Sequence, residues 1–208
     1  MSLSAVITGD IVNSTKLLPA SEKRLIKRLT LILNTFKFEF YRGDSFQVYM
    51  KDPGKALEIA LSCRALAISF APEKAKKMTD IRIGIGIGQV NAPVRKPGAA
   101  KGEAFLLSGR IFDELEESGE RLAIVTSHEI ANVGFKVISD YINTIYQKIT
   151  VKQAAVIFEL LQGHSQQEIA LRLKKSKSTI NQHVTAGRWG ELEKLIQQYQ
   201  HLTTQLNK

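Results

Sequence analysis

The run from Ile81 to Val90, Ile-Arg-Ile-Gly-Ile-Gly-Ile-Gly-Gln-Val, constrains this chain more than any other segment. Its alternation is strict. Ile81, Ile83, Ile85 and Ile87 fall on one face of an extended strand, and Arg82, Gly84, Gly86 and Gly88 on the other. One face is fully apolar and the other almost bare. Three glycines in succession weaken a strand, so something has to come close to the bare face. A ligand, a partner backbone or a tightly packed helix would each meet that need, and Gly84, Gly86 and Gly88 are therefore candidate ligand contacts. The spacing is not Gly-x-Gly-x-x-Gly and no helix follows at once, so a dinucleotide fingerprint is not supported.

The segments around this strand alternate in type. Leu3 to Ile7 reads as a buried strand that ends in a Thr8-Gly9-Asp10 loop, and Pro19 to Leu33 as a helix. Phe36 to Tyr41 and Ser45 to Met50 form a hairpin around Arg42-Gly43-Asp44. Asp52 to Phe70 and Glu103 to Glu117 read as helices, Asn91 to Gly102 as a loop, and Leu122 to Val125 as a last strand. Ser127 would cap a following helix, and Lys136 to Gln147 would be a connecting helix. The expected fold is an α/β (α+β) sandwich with a mixed sheet and an antiparallel hairpin at its centre. At 44% hydrophobic, the 208 residues can build a real core. The single cysteine, Cys63, excludes a disulfide within the chain and suits a reducing cytosol, and a buried role fits it better than a catalytic thiol. No run of eighteen apolar residues and no secretory pattern is present, so the expectation is a cytoplasmic protein without membrane contact.

Past residue 140 the pattern becomes helical throughout. Thr150 is a candidate cap for a helix whose stripe is Val156, Ile157, Leu160 and Leu161, and Gly163 is a stop. Ser165 with Glu168 makes a capping box. Ile169, Ala170 and Leu173 share one face of the helix it opens, and Ser176 caps a second helix whose Ile180 and Val184 face inward. The outward face of that second helix carries Lys177, Ser178, Asn181, Gln182 and Thr185, with Lys174 and Lys175 in the turn before it. Asn and Gln can read adenine with two hydrogen bonds, and lysines neutralise phosphates, so double-stranded DNA is the expected partner. Charge agrees. The net charge is +9, and residues 141–208 hold nine Lys and Arg against four Asp and Glu. Glu168-Ile169-Ala170, Leu173, Ser176, Thr179-Ile180 and His183 resemble the helix-turn-helix of LuxR-type regulators and of the promoter-reading domain of sigma factors. A terminal stripe of Leu192, Leu195, Ile196, Tyr199 and Leu202 either seals this part's own core or meets a twin chain, and a homodimer is the favoured expectation.

The first part carries a second resemblance. Gly9-Asp10-Ile11-Val12-Asn13-Ser14-Thr15, Gly43-Asp44, Arg82-Ile83-Gly84-Ile85 and the stretch from Gly102 to Arg110 resemble the catalytic domain of class III nucleotidyl cyclases over residues 3–125. The resemblance implies that Asp10, Asp44 and the carbonyl of Ile11 hold Mg²⁺ or Mn²⁺ with a nucleotide. It also implies a transition-state role for Arg110. The family's base-selecting Lys is replaced here by Phe40 and its Asn by Leu106. One missing donor of that sort costs about two to three powers of ten in rate. No catalytic residue is therefore assigned. The expectation is not an enzyme but a domain that senses a metal-nucleotide without turnover, with Arg110 and the three glycines as ligand contacts. An active nucleotide-metabolising enzyme with a DNA-binding appendage is the alternative. Asp10 and Asp44 as ordinary cap and turn residues stays open beside both.

Taken whole, with Gly9 to Ser14, Arg42-Gly43-Asp44, Ala104-Phe105, Ser108-Gly109 and the C-terminal motif, the chain resembles the SatD family. These are bacterial proteins with a degenerate cyclase-like domain before a helix-turn-helix. The resemblance implies a cytoplasmic DNA-binding transcription regulator divided into a cyclase-like part, residues 1–135, and an all-α helix-turn-helix part, residues 136–208.

Overall fold

The computed structural model describes residues 3–14, 17–41, 43–71, 79–91 and 93–206. Thr15 and Arg42 of the motifs above lie outside the described residues. The elements in chain order are β1 (Ser4–Val12), α1 (Pro19–Leu33), β2 (Lys37–Tyr41), β3 (Ser45–Met50), α2 (Ala56–Ser69), β4 (Asp80–Gly88), α3 (Glu103–Ser118), β5 (Leu122–Thr126), α4 (Glu129–Tyr146), α5 (Val151–Leu161), α6 (Gln166–Leu173), α7 (Lys177–Ala186) and α8 (Trp189–Leu206). The five strands form one mixed sheet in the order β2-β3-β1-β4-β5. Every pairing is antiparallel except β4 with β5.

β4 lies inside the sheet, as its alternation requires. Its four isoleucines are fully buried in the main core. The glycine face is filled by α3. A Cβ on Gly86 would lie 2.4 Å from the Ala104 carbonyl oxygen and the Ser108 amide, and one on Gly84 2.9 Å from the Ser108 carbonyl oxygen. A Cβ on Gly88 would meet Glu103 at 2.6 Å. Of the three occupants the sequence allows, the packed helix is the one found. The expectation that Gly84, Gly86 and Gly88 contact a ligand is thereby corrected, because no space remains over them.

Three local expectations also change. β1 does not stop at Ile7 but continues to Val12, because Thr8 to Val12 pair with β4 and Thr8 to Asp10 also pair with β3. Ser127 is not a cap. His128 holds that position, and the Asn132 side chain instead bonds both the amide and the carbonyl of Thr126. The helix expected after Ser127 and the connecting helix are one unbroken element, α4.

α4 carries Phe135, Ile138, Ile142, Ile145 and Tyr146 into the same core that holds the sheet, and α5 and α8 add Ile157, Leu161, Leu192 and Tyr199 to it. The Tyr146 hydroxyl donates to the Leu61 carbonyl at 3.1 Å and the Tyr199 hydroxyl to that of Pro53 at 2.8 Å. The packing therefore does not set off a separate C-terminal domain, and the position between residues 135 and 136 falls inside α4. Leu192, Ile196 and Tyr199 are buried, so the α8 stripe seals this chain's own core and is not a bare face for a twin chain. A second, small cluster joins α5, α6 and α7, with Val156, Ile169 and Ile180 buried together and Leu160, Ala170, Leu173 and Val184 packed around them.

Candidate functional site

Two surfaces collect the chemistry that the sequence points to. The first is the acidic end of β1. Asp10 pairs across the sheet with Ser45 on one side and Arg82 on the other. Asn13 then takes a left-handed conformation with φ 62, a turn that short polar residues tolerate. The turn brings Ser14 back so that its hydroxyl donates to Asp44 Oδ2 at 2.8 Å. The Ile11 amide donates to the Asp44 carbonyl at 3.1 Å. In a strand the amide and carbonyl of one residue point to the same edge, so the Ile11 carbonyl also faces the hairpin tip. Asp10, Ile11 and Asp44 thus gather at one corner.

Charge at that corner is unbalanced. Arg82 Nε lies 3.3 Å from Asp10 Oδ1, and Arg82 Nη1 lies 3.2 Å from Glu116 Oε1. The first contact is close but poorly aligned, and Asp10 Oδ1 is buried without a directed hydrogen bond. Burial holds the Asp10 proton affinity above its ordinary value. Arg82 opposes that shift, while Asp44 and Glu116 add to it. A buried carboxylate oxygen short of a donor, beside a second carboxylate and a carbonyl, fits a small divalent cation that prefers oxygen ligands. Among the described residues no group of three or more His, Cys, Asp or Glu side chains is placed to hold a metal, so such an ion would rest on the Asp10 and Asp44 carboxylates and the Ile11 carbonyl alone. Arg82, resting on the Phe112 ring and tied to Asp10, was not singled out from the sequence. Its place on the glycine face, as the one side chain there among Gly84, Gly86 and Gly88, was the available signal.

Other expected groups stand apart from this corner. Arg110 is exposed on α3, about nine ångströms along the helix from Glu116. Leu106 is exposed on the same helix. Phe40 is not free to select a base, since its ring packs at 5.6 Å from that of Phe46 and 6.0 Å from that of Phe38. Cys63 is buried and its thiol is pushed up to about 12, which removes it as a nucleophile. A cleft of about 390 Å³ lies elsewhere, between α3, β5 and α4, lined among others by Leu115, Glu120, Ile124, Lys136 and Asp140.

The second surface is the α6–α7 pair. Ser165 and Glu168 form the reciprocal capping box at the start of α6, and the Ser176 hydroxyl accepts from the Thr179 amide at the start of α7. Lys174 turns the chain between them in a left-handed conformation with φ 52. Ile180 is buried, and Lys174, Lys175, Lys177, Ser178, Asn181, Gln182 and Thr185 are all exposed. No acidic residue occurs between Glu168 and Glu191, a span with five Lys and Arg. His183 is half-buried, and so is Trp189, which packs on the main core.

No family model matches the chain and no curated protein matches it. The SatD resemblance therefore stands on its motifs alone. Among solved structures, the chain is similar to a bacterial light-regulated adenylyl cyclase, at 14% identity and a TM-score of 0.44 over 59% of this chain and 75% of that one. It is also similar to an adenylate cyclase from Trypanosoma brucei in its monomeric state, at 14% identity and a TM-score of 0.43 over 54% and 69%. A third is the adenylyl cyclase CyaB from P. aeruginosa, at 19% and 0.41 over 61% and 77%. The expectation that the chain is not an enzyme is corrected on this finding, since the structures it is similar to are enzymes. Among the described residues no helix is long and apolar enough to cross a membrane.

Proposed function

We propose that this chain joins a nucleotide-metabolising domain of cyclase-like architecture to a DNA-reading helix pair. The bare outer face of α7 carries the proposal: Lys177, Ser178, Asn181, Gln182 and Thr185 are exposed while Ile180 on the same helix is buried. A short helix held by its apolar side, with amides outward and lysines at its start, suits the major groove. At the other surface, the Asp10 and Asp44 carboxylates and the Ile11 carbonyl would hold Mg²⁺ or Mn²⁺, which would bind the phosphates of a nucleotide. Arg82, which contacts both Asp10 and Glu116, would still have Glu116 as a partner if Asp10 held the ion. The motifs support reading the whole as a cytoplasmic transcription regulator of the SatD kind. The nucleotide state would bias DNA binding only if the two arrangements differ in affinity for it.

Anisotropy with genomic fragments tests the DNA half. About four phosphate contacts should lower affinity roughly a hundredfold between 50 and 200 mM salt. The Asn181→Ala, Gln182→Ala double variant should lose the sequence-dependent part. Binding that ignores both salt and this variant would end the reading. Product formation from labelled ATP or GTP with Mn²⁺ tests the other half, and Asp44→Ala should abolish it.

A further inference from the structure

The described residues expose eight large hydrophobic side chains, and four of them lie on one element: Ile130 at 91%, Val133 at 69%, Val137 at 63% and Tyr141 at 38%, all on α4. At one hundred degrees per residue they fall within about 80° of arc and span roughly 16 Å of helix. Scattered exposed apolar residues are ordinary, but a continuous stripe is not. The opposite side of the same helix, Phe135, Ile138, Ile142 and Ile145, is buried in the core, so α4 is apolar on two faces and only one is covered.

We infer that this stripe is a self-association surface, on which α4 of a second copy packs antiparallel about a two-fold axis near residues 135 and 136. The spacing closes on itself. An axis there sets Ile130 against Tyr141 of the second copy and Val133 against Val137, so every apolar side chain meets another and none is left over. The two valines at the centre are small enough for close approach. The four side chains leave on the order of 500 Å² bare per copy, so full burial in the pair would reach about 1,000 Å², the lower bound for a biological interface and the size of a weak, reversible one. The charges beside the stripe select the occupant. Glu129, Lys136, Asp140, Arg188 and Glu191 nearly cancel, in a chain that carries +9 overall. Two such chains repel elsewhere and meet best where the charge is balanced. Nucleic acid finds no positive field on this face, and a membrane surface helix would carry Lys and Arg along its flanks. The inference rests on α4 alone and does not depend on DNA or nucleotide binding.

The full chain should sediment at twice its 23.2 kDa mass at about 50 μM. Val137→Glu should raise the dimer dissociation constant at least about tenfold, because a charge would be buried without a partner, while the thermal midpoint measured on dilute protein stays unchanged. Register has its own test, since Cys63 is buried and cannot compete. An equimolar mixture of Val133→Cys and Val137→Cys proteins under mild oxidation should give more disulfide-linked dimer than either alone. A monomer at that concentration overturns the inference and leaves the stripe to a different protein. A dimer that survives Val137→Glu, or crosslinking without preference for the mixture, overturns it equally. If Val137→Glu fails to fold, the crosslinking result decides.

Discussion

Asp10 is where one side chain sets the behaviour of a surface. Sequence placed it in a loop after the first strand, as a metal ligand or an ordinary cap or turn residue. The structure instead pairs it on both sides, which partly buries the carboxylate and forces Arg82 into the same corner. Local pattern could not reveal this, because the pairing partners lie 35 and 72 residues away in the chain. The consequence is a carboxyl that keeps its proton to higher pH when folded than its ordinary value of 3.8. The folded chain then binds more protons than the unfolded chain in the interval just above 3.8, so the contribution of Asp10 to stability is largest at acid pH and falls as pH rises through that interval. An asparagine has no proton to lose. The stability of Asp10→Asn relative to the parent, from urea unfolding between about pH 4 and pH 7, should therefore improve with rising pH. A difference that is flat or declines with pH would show that burial does not govern this carboxyl.

At the scale of elements, periodicity was a good guide and boundaries were not. All five strands and most of the helices follow from spacing, although the two helices expected after Ser127 and from Lys136 are one, and the caps at Thr150 and Ser165 are formed as their sequences require. The glycines of β4 announced a close approach, but only α3 in place could say that the visitor was a helix. Gly86 is the tightest point. An added methyl there would press on backbone atoms of α3 that cannot rotate away, so Gly86→Ala should destabilise the chain by about 3 kcal/mol or more in denaturant titration, and Gly109→Ala, with open space around it, should not. The turn between α6 and α7 carries the opposite kind of strain. Lys174 adopts a left-handed conformation that costs a non-glycine residue about 1–2 kcal/mol. Lys174→Gly should raise stability by about 1 kcal/mol and, if this lysine touches a phosphate, flatten the salt dependence of DNA binding by about one unit of slope. Gain of stability without any change in salt slope would place Lys174 outside the interface.

For the whole molecule, the sequence suggested two parts because past residue 140 the charge is denser and the pattern helical throughout, and neither signal shows what a helix packs against. α4 presents the same amphipathic pattern whether its apolar side meets its own bundle or a neighbouring sheet. Here it does the second. Phe135, Ile138 and Ile142 join the core of β1 to β5, and the Tyr146 and Tyr199 hydroxyls bond to carbonyls of the 50s and 60s segments. Arg64 adds a buried anchor, bonded to Asp80 at the start of β4 and to Asn143 on α4. Removing the C-terminal helices would expose that apolar surface and leave the Arg64 charge with one partner fewer, so neither half has an independent core to fall back on. The chain should then unfold as one unit. Trp189, the only tryptophan, reports α8, while the accessibility of Cys63 to a thiol reagent reports α2. Urea midpoints from tryptophan fluorescence, from far-ultraviolet circular dichroism and from Cys63 labelling should coincide. A fluorescence transition that precedes the exposure of Cys63 would mean that the C-terminal helices detach first, and that a signal from the Asp10 corner could reach α7 only through a hinge and not through a shared core.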